Sequence, residues 1–228
     1  MTVEFEIIGE NAAQTLSVDL SELVIAGWAG RDQAAIEHHI EELAAIGVPR
    51  PSATPLFYRV AADQLTQADR VQMVGAQTSG EVEAFVFSAN GVAYVSIASD
   101  HTDRELEAHS VALSKQVCAK PVARQAWRLD EVVGHWDDLV IRSWIEEDGK
   151  TVSYQEGPLA SLRTPADLIA GYANGASQLP DGVGMTCGTV PVIGGIRPAS
   201  AFTMELYDPK RDRALRHTYA IDVLPVVA

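Results

Sequence analysis

An α+β fold built mainly on antiparallel β-sheet with a few helices is predicted by three features of the sequence. Apolar and polar residues alternate with period two in runs spread along the chain, Asn-Gly and Asp-Gly pairs separate such runs, and helical spacing is confined to a few segments. Alternation marks strands at residues 3–8, 81–87, 92–98, 140–144, 151–155 and 202–207, and again in the C-terminal stretch through Tyr219. Asn90-Gly91 joins two of these runs as a tight hairpin, because both central residues of such a turn need positive φ and these residue types tolerate it. Asp148-Gly149 does the same for two more, and Asp208-Pro209 starts the last reversal. Helical periodicity is clearest over residues 32–46, closed by Gly47 and Pro49, and over 102–116, with shorter segments at 130–136 and 164–172. Residues 49–55 read as a loop before the next strand. Without a repeat, a low-complexity tract or a linker-like shift in composition, residues 1–228 read as a single domain.

The chain has 228 residues, 47% hydrophobic and 21% charged, which suits one globular unit with a substantial core. The N-terminus enters a strand pattern directly, with no basic-then-apolar leader, and no apolar run approaches the roughly 20 residues of a membrane span. A soluble cytoplasmic protein is expected. Cys118 and Cys187 lie far apart with no CxxC spacing, so both are expected to be free thiols and neither a metal ligand. A formal net charge of −14 and the lack of a basic stripe argue against nucleic-acid and membrane partners. Most of the 31 acidic residues solvate the surface, and a cluster of them can hold a cation. The absence of G-x-S-x-G, GxxxxGK[ST] and H-E-x-x-H strings disfavours a serine-elbow hydrolase, a P-loop enzyme and a zincin.

One constellation points to chemistry. In the run from Gly80 to Phe87, Glu81 and Glu83 are one residue apart, so on a strand both carboxylates leave the same face. Clustered carboxylates repel unless a proton or cation intervenes, and hard divalent ions favour such oxygen ligands. An E-x-E pair alone equally describes a strand with one solvated face. The Asn90-Gly91 hairpin brings the following strand, and Asp100 at its end, back toward the pair. Asp100 also reads as a helix N-cap, a task Thr102 can perform instead.

This string, Glu81-x-Glu83 followed by Asp100-x-Thr102-x-Arg104-Glu105, then Lys115 and the Cys118 to Pro121 region, resembles the metal site of the fumarylacetoacetate hydrolase superfamily. The segment from Met185 to Pro191, with Gly188-Thr189, resembles the family's Thr-Gly-Thr-Pro turn, whose backbone amides and threonine hydroxyl face the substrate. The segment from Glu37 to Leu43 is similar to the family's D-H-x-x-E-M segment, and Pro55 to Arg59 to the strand that presents a cation to the pocket. His39 and Glu42, three apart on a helix, can hydrogen-bond as a base and its orienting partner; a merely solvated helix face is the alternative. The likeness runs from Ile36 to Tyr207. Ala119 in place of a proline, the short stretch between Glu83 and Asp100, and Gly194-Gly195 depart from the pattern; they spare the acidic trio and leave the substrate unassigned.

The resemblance implies an FAH-like mixed β-sandwich roll, a homodimer, Mg²⁺ or Mn²⁺ on Glu81, Glu83 and Asp100, and a small anionic oxo-acid substrate, as in acylpyruvate hydrolases or oxaloacetate decarboxylases. Lys115, Arg59, Arg104, Gly188 and Thr189 then fall around the substrate, with His39, Glu42 and Lys115 in the catalytic machinery and residues 30–59 contributing an active-site lid. Hydrolytic carbon–carbon cleavage of an acylpyruvate-like or related 1,3-dicarbonyl acid is the expected reaction. Decarboxylation, tautomerisation, isomerisation or hydration on the same scaffold is the alternative, and a non-catalytic binding protein is a further one.

Overall fold

Two β-sheets face each other across an apolar layer, and the larger one is buried on both of its faces at its centre. The computed structural model describes residues 1–9, 13–45 and 49–227, without the side chains at positions 39 and 43. In chain order, β1 (Thr2–Ile8), β2 (Ala13–Asp19) and β3 (Glu22–Gly27) precede α1 (Gln33–Ala45) and β4 (Leu56–Val60). Then come β5 (Leu65–Thr66), β6 (Arg70–Val74), β7 (Thr78–Ser79) and the hairpin of β8 (Val82–Ala89) with β9 (Val92–Ser99). After β10 (Thr102–Asp103) follow α2 (Arg104–Glu107), α3 (Val111–Gln116), β11 (Lys120–Pro121) and β12 (Gln125–Arg128). The chain continues through β13 (Val140–Glu147), β14 (Lys150–Pro158), α4 (Pro165–Tyr172), β15 (Val183–Thr186), β16 (Ala201–Asp208) and β17 (Arg213–Leu224).

The larger sheet runs β2-β1-β12-β9-β8-β15-β3-β4 and the smaller β14-β13-β16-β17-β6; β10-β7 and β11-β5 form two short ladders. Most pairings are antiparallel, as expected, but β1–β12, β3–β15 and β6–β17 are parallel, so both sheets are mixed. All eight residues of β8 are buried. Val82, Ala84 and Val86 join the layer between the sheets, whereas Phe85 and Phe87 join the second core with Phe5, Ile25 and Tyr94. A fully buried aromatic side chain contributes about 1.5–3 kcal/mol by leaving water, so these positions fix β8 firmly from both sides. The solvated-face reading of the E-x-E run is thereby excluded, since Glu83 stands on the Phe85 and Phe87 side.

The turn signals act as read. Asn90 (φ 52°) and Gly91 (φ 72°) make the two-residue connection between Ala89 and Val92, and Asp148 (φ 50°) and Gly149 (φ 73°) that between Glu147 and Lys150. In α4, Thr164 and Asp167 form a capping box with Pro165 in the first turn. The helix expected over 102–116 is broken instead. Thr102 and Asp103 pair with β7, Asp103 caps α2 by accepting from the Leu106 amide, and Ser110 caps α3 by accepting from that of Leu113. Two capping side chains inside one apolar pattern offer the backbone new start points, and the run divides. The segment at 130–136 forms two short 3₁₀ turns, Leu129–Glu131 and Val133–Asp138, with non-helical geometry at His135. Among the described residues no helix is long and apolar enough to cross a membrane.

Candidate metal centre

The register of the β8–β9 hairpin builds the site. Val82 pairs with Ser99 and Glu83 with Ala98, so Glu81 falls opposite Asp100, whose amide donates to the Glu81 carbonyl at 2.9 Å. Paired residues share a face, which gathers Glu81, Glu83 and Asp100 on one side of the sheet. One carboxylate oxygen from each lies within 4.8 Å of the others. Glu83 and Asp100 are buried, and Glu81 lies at the edge of the cavity. Asp100 Oδ1 is buried, makes no well-formed hydrogen bond and has the Lys120 ammonium 3.3 Å away, so it keeps lone-pair capacity for a cation. Three hard oxygen donors at this spacing fit Mg²⁺ or Mn²⁺ and not a thiophilic metal. Both cysteines are buried and free.

Three internal cations surround the trio. The Lys115 ammonium is bonded to Asp100 Oδ2 and lies 3.7 Å from Glu81 Oε2. Arg104 donates from Nη2 to Glu81 (2.9 Å), from Nη1 to Glu107 (2.9 Å) and from Nε to Ser79 (2.7 Å). Lys120, fully buried, donates to the carbonyls of His101 and Lys115 (2.6 Å each) and lies 3.3 Å from Asp100 Oδ1. These charges split the carboxyls. Burial opposes ionisation of Asp100, yet Lys115 and Lys120 hold it below the usual carboxylate range. Burial, with Asp100 and Glu81 beside it, pushes Glu83 up to about 8. Burial would lower Lys115, but Asp100 and Glu81 raise it above its ordinary value. Burial, with Lys120 and Arg104 nearby, lowers His101 to about 3, so its ring is neutral.

Two elements outside the hairpin hold β8. After β15, Gly188 donates its amide to Glu83 Oε2 at 2.8 Å, and Thr189 donates its hydroxyl to the Val82 carbonyl at 2.8 Å. Gly188 has φ +88°, and a Cβ there would lie 2.7 Å from that of Ala29, so both conformation and space demand glycine. From the smaller sheet, buried Gln155 accepts from the Val82 amide (3.1 Å) and Ser143 (3.0 Å) and donates to Thr189 Oγ1 and the Val190 carbonyl (2.7 Å each). All four of its bonding positions are used. The Gly188 amide and Thr189 hydroxyl are thus bonded to β8, while both residues also line the cavity, on the side where the resemblance implied that they face substrate.

The site opens into a cavity of about 620 Å³ lined by Glu81, Glu83, Asp100, Arg104, Lys115 and Thr189, together with Trp28 and Tyr58. Arg59 is not brought there. Strand alternation turns Tyr58 of β4 into the cavity and Arg59 to the other side, where it pairs with Glu22 at 3.0 Å and meets the Tyr172 hydroxyl. On α1, Glu42 is exposed and pairs with His38 at 3.4 Å; the His39 side chain lies outside the described residues, and no described α1 side chain lines the cavity. Sequence reasoning missed Trp28, Tyr58, Lys120, Gln155 and His101. The Lys120 position beside the Cys118 to Pro121 region was the one available signal among them.

Comparison with solved structures defines the class of fold. Over 96% of this chain and 79% of the other, the structure matches 2-keto-3-deoxy-D-arabinonate dehydratase, complexed with magnesium and 2,5-dioxopentanoate, with a TM-score of 0.65 at 16% identity. A 2-hydroxyhepta-2,4-diene-1,7-dioate isomerase from Mycobacterium marinum matches with a TM-score of 0.63 at 11% identity, covering 95% and 82%. An Oleispira antarctica protein proposed to be a fumarylacetoacetate isomerase/hydrolase matches at 0.62 and 17%, covering 95% and 99%. The fold is that of the fumarylacetoacetate hydrolase superfamily. The chain itself belongs to the family described as "Protein of unknown function (DUF2848)", whose model matches residues 26–219. No curated protein matches it.

Proposed function

We propose that this protein is a divalent-metal-dependent enzyme that cleaves a carbon–carbon bond hydrolytically in an acylpyruvate-like or related 2-oxo or 1,3-dicarbonyl acid. The observation that carries this reading is the convergence of Glu81, Glu83 and Asp100 at one end of a cavity of about 620 Å³. These three residues would hold Mg²⁺ or Mn²⁺, which when bound supplies a Lewis acid for adjacent carbonyl and carboxylate oxygens. The structural relative that carries magnesium and an oxo-acid supports the assignment. Around the trio, Lys115 and Arg104 fix the carboxylates in place, and the divalent ion would supply the positive excess that draws an anionic head group. His39, with Glu42 on the same helix, is the proposed base, carried by residues 30–59 acting as a lid over the site. His101 is a poor candidate because burial, with Lys120 and Arg104 nearby, lowers it to about 3 and so leaves its ring a very weak base, and because its Nδ1 is engaged with the Tyr219 hydroxyl at 3.0 Å.

A second reading, decarboxylation or tautomerisation of a 2-oxo acid, is supported by the dehydratase and the isomerase among the similar structures. Those reactions need the metal but no base that activates water. Turnover of acylpyruvates, oxaloacetate and dienoic acids, with and without Mg²⁺ or Mn²⁺, decides between them. His39→Ala is expected to keep metal affinity and lose about 10²–10⁴-fold in hydrolysis, the usual contribution of a positioned base. Wild-type turnover in that variant selects the second reading, and metal-independent turnover of every compound defeats both.

A further inference from the structure

The cavity has one charged end, and the remainder is built to exclude charge. Beyond the charged end its walls carry no described charged side chain and are mostly apolar, with Trp28, Tyr58, Leu162, Val190, Val192 and Ile196 among them and Gln155 and Thr189 as uncharged polar residues. Trp28 has φ +58°, a conformation that costs a bulky residue of order 1–3 kcal/mol and persists only where the surroundings enforce it. Its indole donates to the Tyr58 hydroxyl at 3.1 Å, and the Tyr58 ring rests on the bare backbone of Gly27, where a Cβ would approach to 2.7 Å. The two rings therefore form a fixed wall and not a collapsible one. Among the described residues, the cations lining the cavity are Arg104 and Lys115, both at the acidic end and both bound to carboxylates. Arg59, the next nearest in sequence to the Tyr58 wall, points away and pairs with Glu22.

Charge at the other end agrees. Glu81, Glu83, Asp100 and Glu107 face Arg104, Lys115 and Lys120, so a divalent ion added to the ionised cluster leaves a single positive charge in excess. One carboxylate of a ligand balances it. A second carboxylate further along would lie against apolar walls with no cation among the described lining residues to pair with it, and it would lose hydration on those walls without compensation.

We infer that the substrate is a monoanionic oxo acid whose chain beyond the chelating head is apolar, aromatic or branched, and that Trp28 and Tyr58 select it. This rests on the metal-chelating reading above and narrows it: dicarboxylates such as oxaloacetate are poor substrates.

The test measures binding of three non-cleavable probes to the Mn²⁺-loaded full chain by calorimetry. Oxamate supplies the head group alone, N-benzyloxamate adds an apolar tail, and N-oxalylglycine adds a distal carboxylate. N-benzyloxamate is expected to bind about tenfold or more tighter than oxamate, from burial of the ring, and N-oxalylglycine no tighter than oxamate. Trp28→Ala should erase the benzyl advantage while keeping oxamate affinity, which also shows that the variant is folded. Ile196→Arg, at a half-exposed position, serves as a second variant and should narrow the gap between the benzyl and carboxylate probes. Oxamate binding that depends on Mn²⁺ without a benzyl gain overturns the inference and leaves the metal-site reading standing. Tighter binding of N-oxalylglycine than of N-benzyloxamate overturns it likewise. Failure of all three probes to bind the loaded protein removes both.

Discussion

Metal binding at this site should release a proton, and the amount follows from Glu83. Its carboxyl is raised to about 8 by burial and by Asp100 and Glu81, so without a metal it is protonated at neutral pH. Asp100 is held low by Lys115 and Lys120 after burial is overcome, and stays ionised across the same range. A raised carboxyl keeps its proton below its pKa and loses it above, so the cation must displace one proton at pH 6–7 and almost none at pH 9 or beyond. Apparent affinity should rise about tenfold per pH unit well below 8, hence about 50-fold from pH 6 to pH 8 because half the carboxyls have lost their proton at the upper limit, and level off above about pH 9. Calorimetric titration with Mn²⁺ at each pH, in buffers of different ionisation enthalpy, counts the protons directly. Glu83→Gln should abolish binding. Affinity that is flat from pH 6 to pH 8, with heats independent of buffer, would refute the assignment of Glu83 as the proton-carrying ligand.

Three further outcomes are expected. Gly188→Ala places a side chain at φ +88° and 2.7 Å from the Ala29 Cβ, and should lower stability by about 1–3 kcal/mol in urea denaturation, with metal affinity falling because the Glu83 contact shifts. Gln155→Leu leaves the buried Val82 amide without an acceptor, at a cost of about 1–3 kcal/mol for that group alone, read as a lower denaturation midpoint. Burial pushes the Cys118 thiol up to about 11 and the Cys187 thiol higher still, so both should resist a thiol reagent in the native protein and react in full under denaturing, nonreducing conditions.

The carboxylate pair and its partner across the hairpin were legible because a two-residue turn requiring positive φ at Asn90 and Gly91 leaves a single register, and that register sets Asp100 against Glu81. The turn could be read from residue types alone. The opposite holds for β4. Its five residues alternate, but alternation does not say which side meets the cavity, and the cation expected at Arg59 gave way to its neighbour Tyr58. Strand β3 escaped the period-two reading because Leu23 and Ile25 enter one core and Val24 and Ala26 the other, so its apolar run never alternates. The parallel pairing of β3 with β15 joins segments far apart in sequence, and local pattern carries no record of such a partner. Gln155 was invisible for a different reason: an uncharged residue in a strand becomes informative only when its four partners are known.

The Lys115 ammonium, seated between Asp100 and Glu81, gives the polypeptide a resident counter-ion for its own acidic trio. With Lys115 as partner the carboxylates would not have to wait for an ion before the β8–β9 hairpin closes, and removal of a bound ion would return them to a partner already in place. Mg²⁺ or Mn²⁺ would enter as an exchangeable occupant of a finished fold, set by its concentration in the surroundings, in contrast to small domains whose folding requires their metal.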